Sequence, residues 1–241
     1  MSETRIVTLI TGANRGIGFE TARQLGWLGH EVVLTSRDGI TGKAAADKLQ
    51  SEGLRVVYHP LDVDREDSRQ RLFGFLEEHY QRVDTLINNA GIMPDGSPDQ
   101  PQRASVFGTQ LDQVRQSMET NLYGPLRLCQ LAVPLMRRNG FGRIVNVSSG
   151  LAQLSEMRGS FAAYRLSKTA LNALTRILAA EVEGENILIN AVSPGWVRTR
   201  MGGRNAPRPV AEAVRGITWL ATLGDDGPNG GFYQDRTAIP W

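Results

Sequence analysis

Tyr164 and Lys168 stand four residues apart in the run Tyr164-Arg165-Leu166-Ser167-Lys168. On a helix that spacing puts both on one face. A free tyrosine, with a pKa of about 10, transfers protons poorly at neutral pH. An ammonium beside it favours the phenolate and brings the phenol towards the working range. The pair therefore has the makings of an acid for a carbonyl oxygen. Far upstream, Thr11-Gly12-Ala13-Asn14-Arg15-Gly16-Ile17-Gly18 closes an apolar run and opens a helical pattern. Glycines there allow a tight turn and close approach of the backbone to a pyrophosphate, with amides at the helix start facing the anion. The G-x-x-x-G-x-G spacing differs from the usual dinucleotide fingerprint, and its position between strand and helix is what makes it informative.

The second apolar run ends in Leu34-Thr35-Ser36-Arg37-Asp38. An acid here would hold the ribose hydroxyls of NAD. Ser36 occupies that place, Arg37 follows it, and Arg15 lies in the glycine turn. Two guanidinium groups suit a ribose 2′-phosphate, so the sequence favours NADPH over NADH. Asp38 is the counterweight: a register shifted by one residue returns an acid to the ribose, and otherwise Asp38 is a solvated turn residue.

Positioning these groups requires a scaffold. Short apolar runs at Ile6–Ile10, Val32–Thr35, Val56–Tyr58, Thr85–Ile87, Ile144–Val147, Leu188–Val192 and Phe232–Tyr233 read as strands. Helical patterns fill the earlier intervals, as at Thr21, Leu25 and Leu28 or Leu72, Phe75 and Leu76. Alternation of this kind implies an α/β fold: a single-domain, Rossmann-type, doubly wound parallel sheet of about seven strands with helices on both faces. The domain is expected to span residues 1–241. Phe161 to Val182 reads as a long amphipathic helix whose stripe Leu166, Ala170, Leu174, Ile177 and Leu178 is expected to be core. Met93–Thr109 and Trp196–Pro209 read as loops after strand ends, where ligands bind in such sheets.

Behind the glycine turn come Asn88-Asn89-Ala90-Gly91, Asn121, Val147-Ser148-Ser149, the Tyr164–Lys168 run and Pro194-Gly195. In that order they resemble the short-chain dehydrogenase/reductase superfamily over essentially the whole chain. The flavour of Val147-Ser148-Ser149-Gly150, of the Tyr164–Lys168 run and of the ending Ile239-Pro240-Trp241 is most similar to the carbonyl-reductase branch. The resemblance implies reduction of a ketone or aldehyde, with Tyr164 as proton donor and hydride from the nicotinamide. It gives Ser149 the substrate oxygen in an oxyanion-type role, with Ser148 the other candidate. Ser149 lies fifteen residues before Tyr164, a wider interval than is usual in the family, which implies a short insertion beside the site. Asn121 matches the asparagine that helps hold a water linking the lysine to solvent; it also reads as relief for a helix distorted by Gly124 and Pro125. Asn89, Ala90 and Gly91 match the segment bordering the adenine-linked ribose, Asp62 and Val63 the adenine contacts, and Pro194, Val197 and Thr199 the segment holding the carboxamide. With Gly12, Asn14, Arg15, Gly16, Ile17, Gly18, Arg37, Tyr164 and Lys168 these make up the expected cofactor site. Met93, Leu151, Gln153, Trp196 and Met201 are expected to border the substrate, while Arg198, Arg200, Arg204 and Arg208 either greet an anion or form a solvated loop. Family practice allows a homo-oligomer, dimer or tetramer.

Composition narrows the field. The 241 residues are 41% hydrophobic with a net charge of +2, which is ordinary globular usage with no footprint for nucleic acid. The single cysteine, Cys129, reads as a buried helix thiol and fits a reducing compartment. Neither a signal peptide nor a membrane span is expected, making the cytoplasm the default. His30, His59 and His79 are dispersed, so no metal site is expected. No histidine follows His79 to serve either serine as a hydrolase base. The remaining rivals are an NAD-dependent alcohol or sugar dehydrogenase, which Asp38 would support, and a catalytically silent NADPH-binding regulator. An extended-family dehydratase or epimerase would need more chain after Pro194.

Overall fold

The computed structural model describes residues 5–98, 101 and 104–241. Seven strands run parallel: β1 (Val7–Ile10), β2 (Glu31–Ser36), β3 (Val56–Pro60), β4 (Thr85–Asn88), β5 (Gly142–Val147), β6 (Ile187–Val192) and β7 (Phe232–Gln234). An eighth, the two-residue β8 (Thr237–Ala238), adds antiparallel to β7 and escapes sequence reading because it is too short to carry a pattern. The order β3-β2-β1-β4-β5-β6-β7-β8 reverses between β1 and β4, and a ligand crevice is expected beyond their carboxyl ends.

Parallel strands need crossovers, and helices supply them: α1 (Gly16–Trp27), α2 (Gly39–Ser51), α3 (Glu66–His79), α4 (Leu111–Met118), α5 (Gly124–Asn139), α6 (Ala162–Glu181), α7 (Val210–Ala213) and α8 (Arg215–Ala221). Alternate strand residues feed two cores, one on each face. Leu9, Val33, Leu86, Ile144 and Ile189 pack with Leu72, Leu128, Met136 and Ala179. Ile10, Val32, Leu34, Ile87 and Val145 pack with Ala22, Leu25, Leu49 and Ile217. Cys129 lies in the first core, where burial pushes its thiol up to about 12 and leaves it unreactive.

α6 corrects one expectation. It covers the anticipated segment, but Leu166 and Ile177 are 57% and 56% exposed, so the apolar stripe is not wholly core. The buried face instead carries Tyr164, Ser167, Lys168, Leu171, Asn172 and Thr175. Partners on or just after β5 make this tolerable: Asn146 donates to Thr175 Oγ1 at 2.9 Å, Ser148 to Asn172 Oδ1 at 2.6 Å, and Lys168 to the Val147 carbonyl at 2.7 Å. Polar groups supplied with partners can be buried, and the outward face is then free to be apolar.

Candidate active site

The glycine turn is braced from beneath by β4. Thr11 N–H donates to the Ile87 carbonyl (3.0 Å) and Ala13 N–H to the Thr35 carbonyl (2.8 Å). The Thr11 hydroxyl accepts from Asn89 N–H (3.0 Å) and Ala90 N–H (2.9 Å), while Asn89 Nδ2 donates to the Thr11 and Gly12 carbonyls. Gly12 has φ +62°, and a β-carbon on Gly18 would lie 2.5 Å from Asn89 Nδ2 and 2.8 Å from the Gly12 carbonyl oxygen. The absence of side chains is therefore what lets turn, helix and Asn89 meet. Across the crevice, a β-carbon on Gly16 would lie 3.5 Å from Thr199 Cγ2, so Thr199 reaches the turn. Thr199 is held there by Gly202 N–H on its hydroxyl (3.0 Å), and Val197 is buried.

At the adenosine end, Arg15 and Arg37 are exposed, and among the described residues neither forms a salt bridge. Arg37 and Lys43 border one open depression with Gly39 and Ile40. Asp38 is the N-cap of α2: its Oδ1 accepts from the Thr41 amide and hydroxyl, each at 2.7 Å. These bonds hold its carboxyl below the usual range, the amide contributing most. It is thus more than a solvated turn residue. Asn14 joins the same group, donating to Thr41 Oγ1 at 2.9 Å. Asp62 Oδ1 accepts from Asp64 N–H (3.2 Å). Val63 packs against Gly124, and its carbonyl takes a guanidinium hydrogen of Arg69.

Tyr164 is the third residue of α6 and 7% exposed. Ser149 hydrogen-bonds its phenol. Ser149 Oγ accepts from Leu151 N–H (3.1 Å), an arrangement that leaves its own proton for an oxygen in the site. Ser148, in contrast, gives its proton to Asn172, so the pair divides into a site hydroxyl and a structural one. Lys168 is buried on the same face of α6, and burial brings its ammonium down to about 8. Burial raises the Tyr164 phenol above its ordinary value, Ser149 opposes this, and the Asp95 carboxylate adds to it. The lowering expected from Lys168 is therefore not the dominant effect here, because its ammonium is directed to the Val147 carbonyl.

Asn121 sits in a π-helical turn, Glu119–Tyr123, between α4 and α5, which accommodates the distortion anticipated from Gly124 and Pro125. Its amide accepts from Ile92 N–H and donates to the Ile92 carbonyl, both at 2.9 Å, and also donates to Ser167 Oγ. A β-carbon on Gly91 would lie 3.2 Å from Asn121 Oδ1 and 3.4 Å from Lys168 Nζ, so these three residues converge.

Among the expected substrate neighbours, Met93 and Leu151 pack with Tyr164, Phe161 and Ala104 in a small apolar cluster. The Gln153 amide is tied to the Pro240 carbonyl and the Trp196 indole to the Gly202 carbonyl; Met201 is exposed. Arg198 donates to the Ala206 and Pro207 carbonyls and Arg208 pairs with Asp235, so these two hold their loop together. Arg200 and Arg204 are exposed.

Sequence reasoning missed three supports. Thr11 opens the glycine turn without showing its bracing role, Ser193 (whose Oγ accepts from the Gly150 and Gly195 amides) follows the run Leu188–Val192 unremarked, and Asp95 lies within the Met93–Thr109 loop. Asn89 and Ala90 for Thr11, Gly150 for Ser193 and Ala163 for Asp95 are remote in sequence, so no local pattern marks these roles. Among the described residues no cluster of His, Cys, Asp or Glu could hold a metal, and no helix is long and apolar enough to cross a membrane.

Residues 6–209 match the family model of short chain dehydrogenases. The chain is 34% identical to carbonyl reductase [NADPH] 1 of Mus musculus and 32% identical to carbonyl reductase [NADPH] 3 of the same organism, in each case over all of both proteins. In structure it is similar to NADPH-bound carbonyl reductase from chicken fatty liver, with a TM-score of 0.85 at 30% identity over 98% of this chain and 100% of that one. Carbonyl reductase Sniffer of D. melanogaster gives 0.85 at 27% identity over 99% and 100%. The chain belongs to the short-chain dehydrogenase/reductase superfamily, in its carbonyl-reductase-like branch.

Proposed function

We propose that this protein reduces a ketone or aldehyde to the alcohol using NADPH, with Tyr164 giving its proton to the carbonyl oxygen. The observation that carries the reading is the buried Tyr164 phenol hydrogen-bonded to Ser149, beside Met93 and Leu151, on the α6 face that also bears Lys168. The glycine cradle fits a dinucleotide, since Gly12 and Gly16 turn the backbone through positive φ and Gly18 lets the helix start pack against the turn, and the exposed Arg15 and Arg37 fit a phosphate on the ribose. Gly12, Asn14, Gly16, Ile17, Asn89, Ala90, Gly91, Asp62, Val63, Pro194, Val197 and Thr199 would complete that site. NADPH, when bound, supplies the hydride.

The protein's own work is at the oxygen. Ser149 donates a hydrogen bond to the substrate oxygen and stabilises the charge that grows there. Tyr164 transfers its proton to the same oxygen, and the phenolate left behind is stabilised by positive charge from Lys168. Met93 and Leu151 exclude water and favour an apolar ketone or aldehyde. Asp38, occupied as the cap of α2, gives no support to the NAD-dependent alternative.

The test is the initial rate of NADPH oxidation, beside NADH, with a panel of aromatic aldehydes, diketones and cyclic ketones. Turnover with NADPH is expected. In Tyr164→Phe turnover should be abolished while NADPH affinity stays nearly unchanged, because the hydroxyl supplies the proton but little cofactor contact. Wild-type turnover in that variant overturns the proton-donor assignment, and turnover with NADH alone overturns the role of Arg37.

A further inference from the structure

The start of α6 lacks an ordinary cap. Its flanking residue, Phe161, has φ +56° and no capping side-chain bond, yet Tyr164 sits in this first turn. First-turn amides have no partner within the helix and need one from outside. It arrives from the loop after β4: Asp95 Oδ2 accepts from Ala163 N–H at 2.7 Å and from Tyr164 N–H at 3.4 Å. Asp95 is 6% exposed, and its Oδ1 is buried with no hydrogen-bond partner among the described residues. A carboxylate with one oxygen unsatisfied and no salt bridge among the described residues is costly to bury, and an asparagine would cap equally well. The negative charge itself calls for an explanation.

The surrounding loop is built to hold that carboxylate in place. Phe161 N–H donates to the Ala104 carbonyl (2.9 Å), and Gln113 on α4 donates to the Pro94 carbonyl (2.9 Å). Gly96, at φ +152°, runs so close that a β-carbon there would lie 2.8 Å from Ala104 Cβ and 3.1 Å from the Phe161 ring. The cap is thus fixed to the same apolar cluster that contains Tyr164.

We infer that Asp95 is a positioning residue for the reaction: its carboxylate fixes the first turn of α6, and so Tyr164 against Ser149, and sets a buried negative charge at the backbone amide of the proton donor. This rests on the reading of Tyr164 as proton donor. The physical basis is a contest of fields. The positive end of the α6 dipole and Lys168 both favour phenolate. Asp95, placed at that positive end, opposes them and raises the phenol. Other charges around α6 are engaged or remote. Arg165 donates to the Ser160 and Leu151 carbonyls, and Lys168 to that of Val147. Asp112 and Arg115 on α4 pair with each other at the surface, while Glu119, Glu156 and Arg158 are exposed.

The test compares wild type, Asp95→Asn, Asp95→Ala and Tyr164→Phe by the pH profile of kcat/KM for NADPH-dependent reduction, using the best carbonyl compound of the panel, together with thermal unfolding. Reduction needs the protonated phenol, so the rate falls at high pH. In Asp95→Asn, which retains the cap without the charge, this alkaline limb should move down by roughly one pH unit. In Asp95→Ala, which loses both, kcat should drop about tenfold or more with KM for NADPH within about twofold. An unmoved alkaline limb in folded Asp95→Asn overturns the inference even if Asp95→Ala fails to fold, and wild-type kcat in Asp95→Ala does so too. Turnover by Tyr164→Phe would instead remove the proton-donor reading on which the inference stands.

Discussion

Burial of Lys168 makes a stability prediction that can be separated from catalysis. In the absence of cofactor its ammonium lies near 8 in the folded protein, against an ordinary 10.5. At 1.36 kcal/mol per pH unit, holding this lysine charged at pH 7 costs the fold about 3 kcal/mol. Because the folded value is depressed, the unfolded chain binds more protons between pH 8 and 10.5. Stability attributable to this residue is therefore complete above the unfolded value and is lost as pH falls through the folded one. Lys168→Met keeps the length and removes the charge. It also loses the hydrogen bond to the Val147 carbonyl, worth about 1.5–3 kcal/mol for a charged donor. At pH 7 the variant should thus be as stable as wild type or up to about 2 kcal/mol more stable, while its carbonyl reduction collapses. The sharper quantity is the difference between the two proteins as pH changes, in which every other titrating group cancels. Between pH 7 and pH 9.5 wild type should gain about 2 kcal/mol relative to Lys168→Met. Urea unfolding of both proteins without NADPH at these two pH values measures it. A difference that does not change with pH would refute the claim that the buried lysine is charged at the fold's expense.

Three further outcomes follow from particular contacts. Arg37→Ala should weaken NADPH by about tenfold or more, the worth of a charge-assisted phosphate contact, and NADH far less; equal losses in a paired titration would count against a 2′-phosphate site. Ser149→Ala should lower kcat roughly a hundredfold, whereas Ser148→Ala should chiefly reduce stability, by about 1–3 kcal/mol, because it strips the donor from buried Asn172; steady-state kinetics beside urea melts would expose an inverted assignment. Gly18→Ala should abolish measurable NADPH binding and lower Tm, since its β-carbon meets Asn89 Nδ2 and the Gly12 carbonyl below 3 Å; calorimetric titration with wild-type affinity would show that the cradle has room to relax.

What was legible in the sequence has a common physical cause, as does what was not. Strands β1, β2, β4, β5 and β6 announce themselves because parallel strands covered on both faces are apolar along their length, as at Val7–Ile10 and Thr85–Ile87. The glycine turn is legible because steric exclusion acts on residue type alone. Asp38 carried a readable signal that was passed over: an aspartate three residues before Thr41, at the mouth of a helical pattern, is an N-cap. Asp95 carried none, because the amide it receives most closely is 68 positions away.

α6 shows most clearly why a site bends the rules by which folds are read. Hydrophobic periodicity locates a buried face on the assumption that polar residues point outward. Here the chemistry requires Tyr164 and Lys168 inside, and Asn172 and Thr175 continue the same face where it lies on β5. Most inward polar groups are matched by one from elsewhere, Ser149 and Asp95 for Tyr164, Val147 for Lys168, Ser148 for the Asn172 side-chain carbonyl oxygen and Asn146 for Thr175, while the Asn172 amide nitrogen has no partner among the described residues. The apolar residues Leu166 and Ile177 are thereby displaced to the surface. The misread face and the candidate catalytic face are the same face, because a run of buried polar groups needs the rest of the fold organised to satisfy most of them, and the exceptions collect where the chemistry is.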